Sequence, residues 1–180
     1  MNIKTTRRQF LQFSASAMAG LFVSSPLLAL ASNGGQRSLT FFHTHTEEYL
    51  KIRHTPGIRS SGSQRKINKF LRDFRTETIH PIDPGLLDII CAVQSRGGSR
   101  GVIEVISGYR SPQTNRALRK KSRGVAQKSL HMEGRAIDIR IRDLSTRHLR
   151  DVAIYLGAGG VGYYSKSDFV HLDTGDCRNW

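Results

Sequence analysis

The apolar positions of the chain recur with two periods, one helical and one strand-like. Between Ser63 and Glu77, residues Ile67, Phe70, Leu71 and Phe74 fall at helical spacing, which predicts an amphipathic helix with one buried face. Asp83-Pro84 offers an N-cap followed by a first-turn proline. The apolar run Leu86 to Val93 follows and Gly97-Gly98 closes it, so a second helix is expected there. Ser111-Pro112 repeats the start signal, and the helix it opens runs to the basic end Arg119-Lys120-Lys121, where cations suit the helix dipole. Ser145 begins a fourth helix, stopped by Gly157.

Strand signals lie between and after these. Ser38 to Thr46 and Tyr49 to Arg53 read as a hairpin, and Val102 to Ser107 as a further strand. From Arg135 to Ile141 the pattern alternates. Ile137, Ile139 and Ile141 share one face, so Asp138 points away from the apolar layer. Gly159 to Tyr164 and Phe169 to Asp173 supply two closing strands, with His171 and Asp173 on one face and Val170 and Leu172 on the other. Short connections between neighbouring strands argue for an α+β fold: a small, mostly antiparallel sheet flanked by helices.

The first 31 residues stand apart from this pattern. They carry Lys4, Arg7 and Arg8, no acidic residue, a weakly apolar run broken by serines, Gly20 and Pro26, and then Ala29-Leu30-Ala31. That is the layout of a cleaved signal peptide, with residues 32–180 as one mature domain. Thr6-Arg7-Arg8-Gln9-Phe10-Leu11 looks like a twin-arginine address, a route that suits a protein loading a metal before export to the periplasm. The broken apolar run makes a poor membrane span, and no cysteine lies near the cleavage point, so no stable membrane anchor is expected.

Charge and cysteine usage narrow the partners. The formal charge of +14 falls to +11 once Lys4, Arg7 and Arg8 are set aside, and the cations are scattered along the chain rather than blocked. Anionic partners are favoured; export and the lack of any nucleic-acid motif disfavour nucleic acid and favour an anionic wall polymer. Cys91 sits in an apolar run where a free thiol behaves as a small core residue, so Cys91 and Cys177 are expected to stay unpaired.

Hydrolysing an amide at neutral pH calls for a strong nucleophile, which a zinc ion with an open coordination position generates from water. In Ser129-Leu130-His131-Met132-Glu133-Gly134-Arg135-Ala136-Ile137-Asp138, a histidine in a glycine-permitted turn precedes a carboxylate on the polar face of a strand; His171 on a second strand offers a third donor. His54, His80 and His148 read as ordinary surface or satisfied core residues. His43 and His45 would share a strand face, but no third ligand lies near them in sequence.

The spacing Ser129-x-His131-x-x-Gly134-x-Ala136-x-Asp138, followed by His171, resembles the signature of the zinc peptidases of the D-Ala-D-Ala carboxypeptidase and dipeptidase type, the M15 and LAS group. Ile106-Ser107-Gly108-Tyr109-Arg110-Ser111-Pro112, Ser122 to Ala126, and Gly159 to Tyr164 through Phe169 to Gly175 are similar to its murein endopeptidase K branch over essentially the whole mature chain. The resemblance implies one zinc ion per chain, held by His131, Asp138 and His171, and cleavage of peptidoglycan stem-peptide cross-links. These join either two diaminopimelates or D-Ala and diaminopimelate. It places Arg110 where the group keeps an arginine for substrate and oxyanion, and Asp168 where it places a catalytic carboxylate. Asp173, on the face of His171, either orients a ligand or holds the strand end, or is the alternative base. One departure is Phe169, where the wider group often carries a further histidine. Trimming of free D-Ala ends, or wall binding without catalysis, are the rival activities.

Overall fold

A computed structural model describes residues 35–122 and 124–180; the signal-peptide expectation lies outside the described residues. The elements, in order, are strands β1 (Arg37–His43) and β2 (Tyr49–His54), helices α1 (Ser61–Phe70) and α2 (Pro84–Arg96), strand β3 (Ile103–Ser107) and helix α3 (Pro112–Lys121). A short 3₁₀ turn (Leu130–Glu133), β4 (Ala136–Ile141), α4 (Thr146–Leu156), β5 (Gly160–Tyr164), β6 (Phe169–Asp173) and β7 (Arg178–Asn179) complete the chain.

Local capping chemistry sets the helix starts. The side chains of Asp83, Ser111 and Ser145 accept hydrogen bonds from the backbone N–H groups of Gly85, Thr114 and His148, so each satisfies a donor that the first helical turn leaves free. Helix α1 stops at Phe70, short of the expected Glu77. Beyond it, the Asp73 carboxylate accepts from the backbone N–H groups of Arg75 and Ser111 and its own backbone bridges Thr78, which draws the chain into a turn.

The seven strands form one mixed sheet in the order β2-β1-β3-β4-β6-β5-β7. The expected antiparallel pairing holds for four of the six strand pairs, and two parallel pairs make the sheet mixed. β1 runs parallel to β3, because α1 and α2 intervene as a crossover, and β7 returns parallel to β5; the β1–β2, β3–β4, β4–β6 and β5–β6 pairs are antiparallel. One sheet face packs on the helices. Its core includes Leu39, Phe41, Ile103, Val105, Ile137, Ile139, Val170 and Leu172 from the strands, with Leu86, Ile90, Val93 and Leu149 from α2 and α4. Burying such side chains contributes roughly 1.5–3 kcal/mol each. Cys91 is buried and Cys177 exposed, and the two do not pair. Among the described residues no helix is long and apolar enough to cross a membrane.

Candidate metal centre

Two antiparallel strands and one turn build the site. Asp138 on β4 stands directly opposite His171 on β6, so their side chains leave the same sheet face together. His131 arrives from the 3₁₀ turn, which ends at Gly134 with a left-handed φ of 67°. A Cβ at that position would collide with the carbonyl oxygen of Pro81, which accounts for glycine there on two grounds. Across β4, the register with β3 is irregular between Val105 and Ser107, and this brings Ser107 beside Asp138.

His131, Asp138 and His171 are all buried, and one donor atom from each lies within 4.8 Å of the others. The unused ring nitrogens are tied down. His131 Nδ1 donates to the carbonyl of Gly108 at 2.7 Å, and His171 Nε2 donates to Asp173 Oδ2 at 3.0 Å. Each tie fixes a tautomer, leaving a lone pair on His131 Nε2 and on His171 Nδ1. Those atoms are 3.2 Å apart, and they lie 3.2 Å and 2.8 Å from Asp138 Oδ1. Two imidazole lone pairs and a carboxylate oxygen thus face one point, an arrangement that a cation satisfies and three bare acceptors do not.

The same contacts set the titration of each group in the absence of a cation. Burial alone would raise the pKa of Asp138, but His131 above all, with His171 and Arg110, holds it well below the ordinary carboxylate range. Burial lowers His131. It also acts to lower His171, but hydrogen bonds to Asp138 and Asp173 outweigh it and raise that imidazole. Asp173, fully buried, is likewise depressed: desolvation opposes ionisation, yet His171, Arg178 and the backbone N–H of Gly175 stabilise the anion.

The remaining expected residues divide. Arg110 reaches the cluster: Nη2 donates to Asp138 Oδ2 at 2.5 Å and lies 3.1 Å from His131 Nε2, while Nε is held by Ser107 Oγ at 2.9 Å. Asp173 reaches it as well, behind His171. Asp168 does not. It sits in the turn before β6 with a φ of 49°, its Oδ1 accepts from Thr146 Oγ1 at 2.7 Å, and its Oδ2 is 3.8 Å from Arg140. The structure therefore does not gather Asp168 with His131, Asp138 and His171. Phe169, His171 and Asp173 share the cleft side of β6, and the left-handed turn residue before them is clamped to the start of α4 instead.

Among the described residues, His43 and His45 are not grouped with a third metal donor. The ring of His43 is enclosed by Phe70 and Phe74, its Nδ1 accepts from the backbone N–H of His45, and His45 stacks on Phe74. Cys91 is equally inert, its thiol pushed up to about 12 by burial.

The cluster forms the floor of a cleft of about 340 Å³, lined also by Lys128 and Ser129 from the loop after α3 and by Tyr164, Phe169, Arg178 and Trp180. Sequence patterning did not mark Arg178 or Trp180; the only signal was their position shortly after the His171 strand. The family described as peptidoglycan L,D-endopeptidase MepK matches residues 31–180. The chain belongs to this family. It is 41% identical to the peptidoglycan L,D-endopeptidase MepK of Escherichia coli over 97% of this chain and 96% of that protein, and equally similar to the one of Shigella flexneri. A probable peptidoglycan L,D-endopeptidase MepK of Haemophilus influenzae is 37% identical over 99% of this chain and 97% of its own length. No solved structure matches significantly. Family membership and geometry meet at one point: a peptidase family, and a buried His-Asp-His donor set at the bottom of a cleft.

Proposed function

We propose that His131 Nε2, Asp138 Oδ1 and His171 Nδ1 hold one zinc ion, with which the chain hydrolyses cross-links between peptidoglycan stem peptides. By family the chain is a hydrolase acting on peptidoglycan peptide bonds. The observation that carries the zinc assignment is the pair of tied tautomers, which leaves both imidazole lone pairs converging on one carboxylate oxygen. Two nitrogens and one oxygen suit zinc and leave a coordination position open. When bound, zinc supplies Lewis acidity toward the scissile carbonyl and lowers the pKa of water at that position.

The chain's own residues do the rest. Asp173 and the Gly108 carbonyl keep the two imidazoles in the required tautomer. Arg110 orients the Asp138 carboxylate and sets a fixed positive charge beside the point where the carbonyl oxygen gains negative charge. Asp168, committed to Thr146, is not retained as the general base, and Asp173 is assigned the orienting duty.

The designation L,D in the relatives' names describes a bond with an L-centre on its acyl side and a D-centre on its amine side. Of the two cross-links considered, diaminopimelate to diaminopimelate has that stereochemistry and D-Ala to diaminopimelate does not, so the former is the proposed substrate. Such a substrate lies outside the cytoplasm. Residues 1–31 are accordingly read as a twin-arginine export signal and residues 32–180 as the periplasmic enzyme.

The test is digestion of purified muropeptide dimers of each linkage. The parent chain converts diaminopimelate-linked dimers to monomers, a chelator abolishes this, and zinc restores it, whereas His131→Ala holds far less than one zinc per chain. Shortened monomers with intact dimers would make the chain a trimming carboxypeptidase. Wall binding with no cleavage under any metal would make it a non-catalytic module.

A further inference from the structure

Trp180 is the chain's one tryptophan, and it forms part of the cleft wall. Its placement is built rather than incidental. The backbone N–H of Trp180 donates to Val161 and its carbonyl accepts from Tyr163, so it continues the parallel pairing of β7 along β5. The strand residue beneath the indole is Gly162, which stands opposite His171; a Cβ there would come within 2.7 Å of the indole carbons. A bare strand surface therefore lets the ring lie 5.3 Å from the ring of His171. Arg178, the residue that anchors Asp173, packs over the same indole at 5.2 Å.

The indole's polar needs are met and its apolar surface is not. Nε1 donates to the hydroxyl of Tyr164 at 3.1 Å, yet 52% of Trp180 remains exposed. Tyr164 stacks in turn on Phe169 at 4.5 Å, extending the aromatic surface along the cleft. Lys128 contributes an exposed cation from the loop on that cleft. An aromatic wall with an ammonium group nearby suits a ligand that carries an aliphatic chain ending in a carboxylate.

We propose that Trp180 is a substrate-positioning residue: with Tyr164 and Phe169 it forms the wall on which the aliphatic side chain of the residue flanking the scissile amide lies. This rests on the peptidoglycan-hydrolase reading above. Proximity decides between peptide and sugar as the occupant. A ring 5.3 Å from a candidate metal ligand touches what flanks the reacting bond, while the glycan stands several residues away along the stem peptide. Neither Trp180 nor its neighbours on the wall take part in bond breaking.

Because the chain has one tryptophan, its tryptophan emission, excited at the red edge where the tyrosines absorb little, reports on this wall. The zinc-loaded full-length chain is titrated with a monomeric muropeptide, with the same stem peptide lacking sugar, and with the disaccharide alone. Both peptide-bearing ligands shift the emission saturably and the disaccharide does not. Trp180→Ala raises KM for cross-linked dimers by about tenfold, the cost of losing one aromatic contact of about 1.4 kcal/mol, while kcat and bound zinc stay within about twofold. Trp180→Phe recovers most of the loss. Calorimetric binding of the peptide with no change in emission overturns the proposal, as does a parental KM in Trp180→Ala or a response to the disaccharide alone. Peptide-dependent emission changes in a chain that cleaves no dimer under any metal would instead sink the hydrolase reading and leave the wall standing.

Discussion

Replacing Asp173 by Asn tests how the proposed metal centre is held. Five donors converge on this carboxylate. Oδ1 accepts from the backbone N–H groups of Gly160 and Gly175 and from Arg178 Nη1, and Oδ2 accepts from His171 Nε2 and Arg178 Nη2. An amide has one oxygen, so the NH₂ group must face either the first three donors or the last two. Facing the two costs less. It sets a donor against His171 Nε2, and the imidazole answers by moving its proton to Nδ1, the atom that otherwise offers its lone pair beside Asp138. Each buried donor left without an acceptor costs about 1–3 kcal/mol. The side chain of Arg178 is 45% exposed and recovers part of its share from water, so the expected loss of stability is about 2–3 kcal/mol. Zinc affinity should fall roughly 10- to 100-fold, as for other residues that orient a metal-bound imidazole. Urea unfolding of the metal-free chain measures the first quantity, and competition with a chromophoric chelator the second. Parental values in both assays would refute the tautomer argument.

Three further outcomes follow from the same geometry. Arg110→Ala should keep close to one zinc per chain at saturating metal while turnover of muropeptide dimers drops on the order of a hundredfold; an unchanged rate would reduce Arg110 to a structural tie between Ser107 and Asp138. Asp168→Asn retains an acceptor for Thr146, so turnover should stay within about threefold, and a loss of 10² or more in steady-state rate would return it to the role of base. His43, held neutral by burial to about pH 4 against 6.5 in the unfolded chain, refuses a proton that the unfolded state takes up. Stability therefore declines as pH falls from about 6.5 to 4, by up to about 3 kcal/mol, and His43→Phe should flatten that part of a pH series of unfolding midpoints.

What was legible in the sequence was what is local. Asp83, Ser111 and Ser145 cap their helices because a cap needs only the next turn, and the alternation through Ile137, Ile139 and Ile141 placed Asp138 on the polar side. Asp173 was readable as the partner of His171 from a spacing of two along one strand. The contacts of Asp168 are not legible from its place three residues before His171, because its direction is set by a left-handed turn and by Thr146 on another element. The parallel pairing of β1 with β3 depends on two intervening helices, and the two-residue β7 carries too little pattern to register as a strand. Trp180 was hidden for the same reason, since its place over Gly162 is a consequence of β7 pairing with β5.

The donor set is therefore specified less by the ligands than by the apolar residues between them. Asp138 faces His171 only in the register that buries Ile137 and Ile139 of β4 against Val170 and Leu172 of β6 on the helix-covered face. A slip of one residue would carry Asp138 into the core and push an isoleucine into the cleft. That exchange buries an unpaired carboxylate and exposes two or more large aliphatic side chains at about 1.5–3 kcal/mol each, so the competing register is excluded by burial alone. His131 is tied to the same register indirectly, because its turn ends at Gly134, two residues before β4 begins, and is bonded to Gly108 just beyond β3. The candidate metal centre inherits its geometry from the packing of the opposite sheet face, where none of its three donor residues lies.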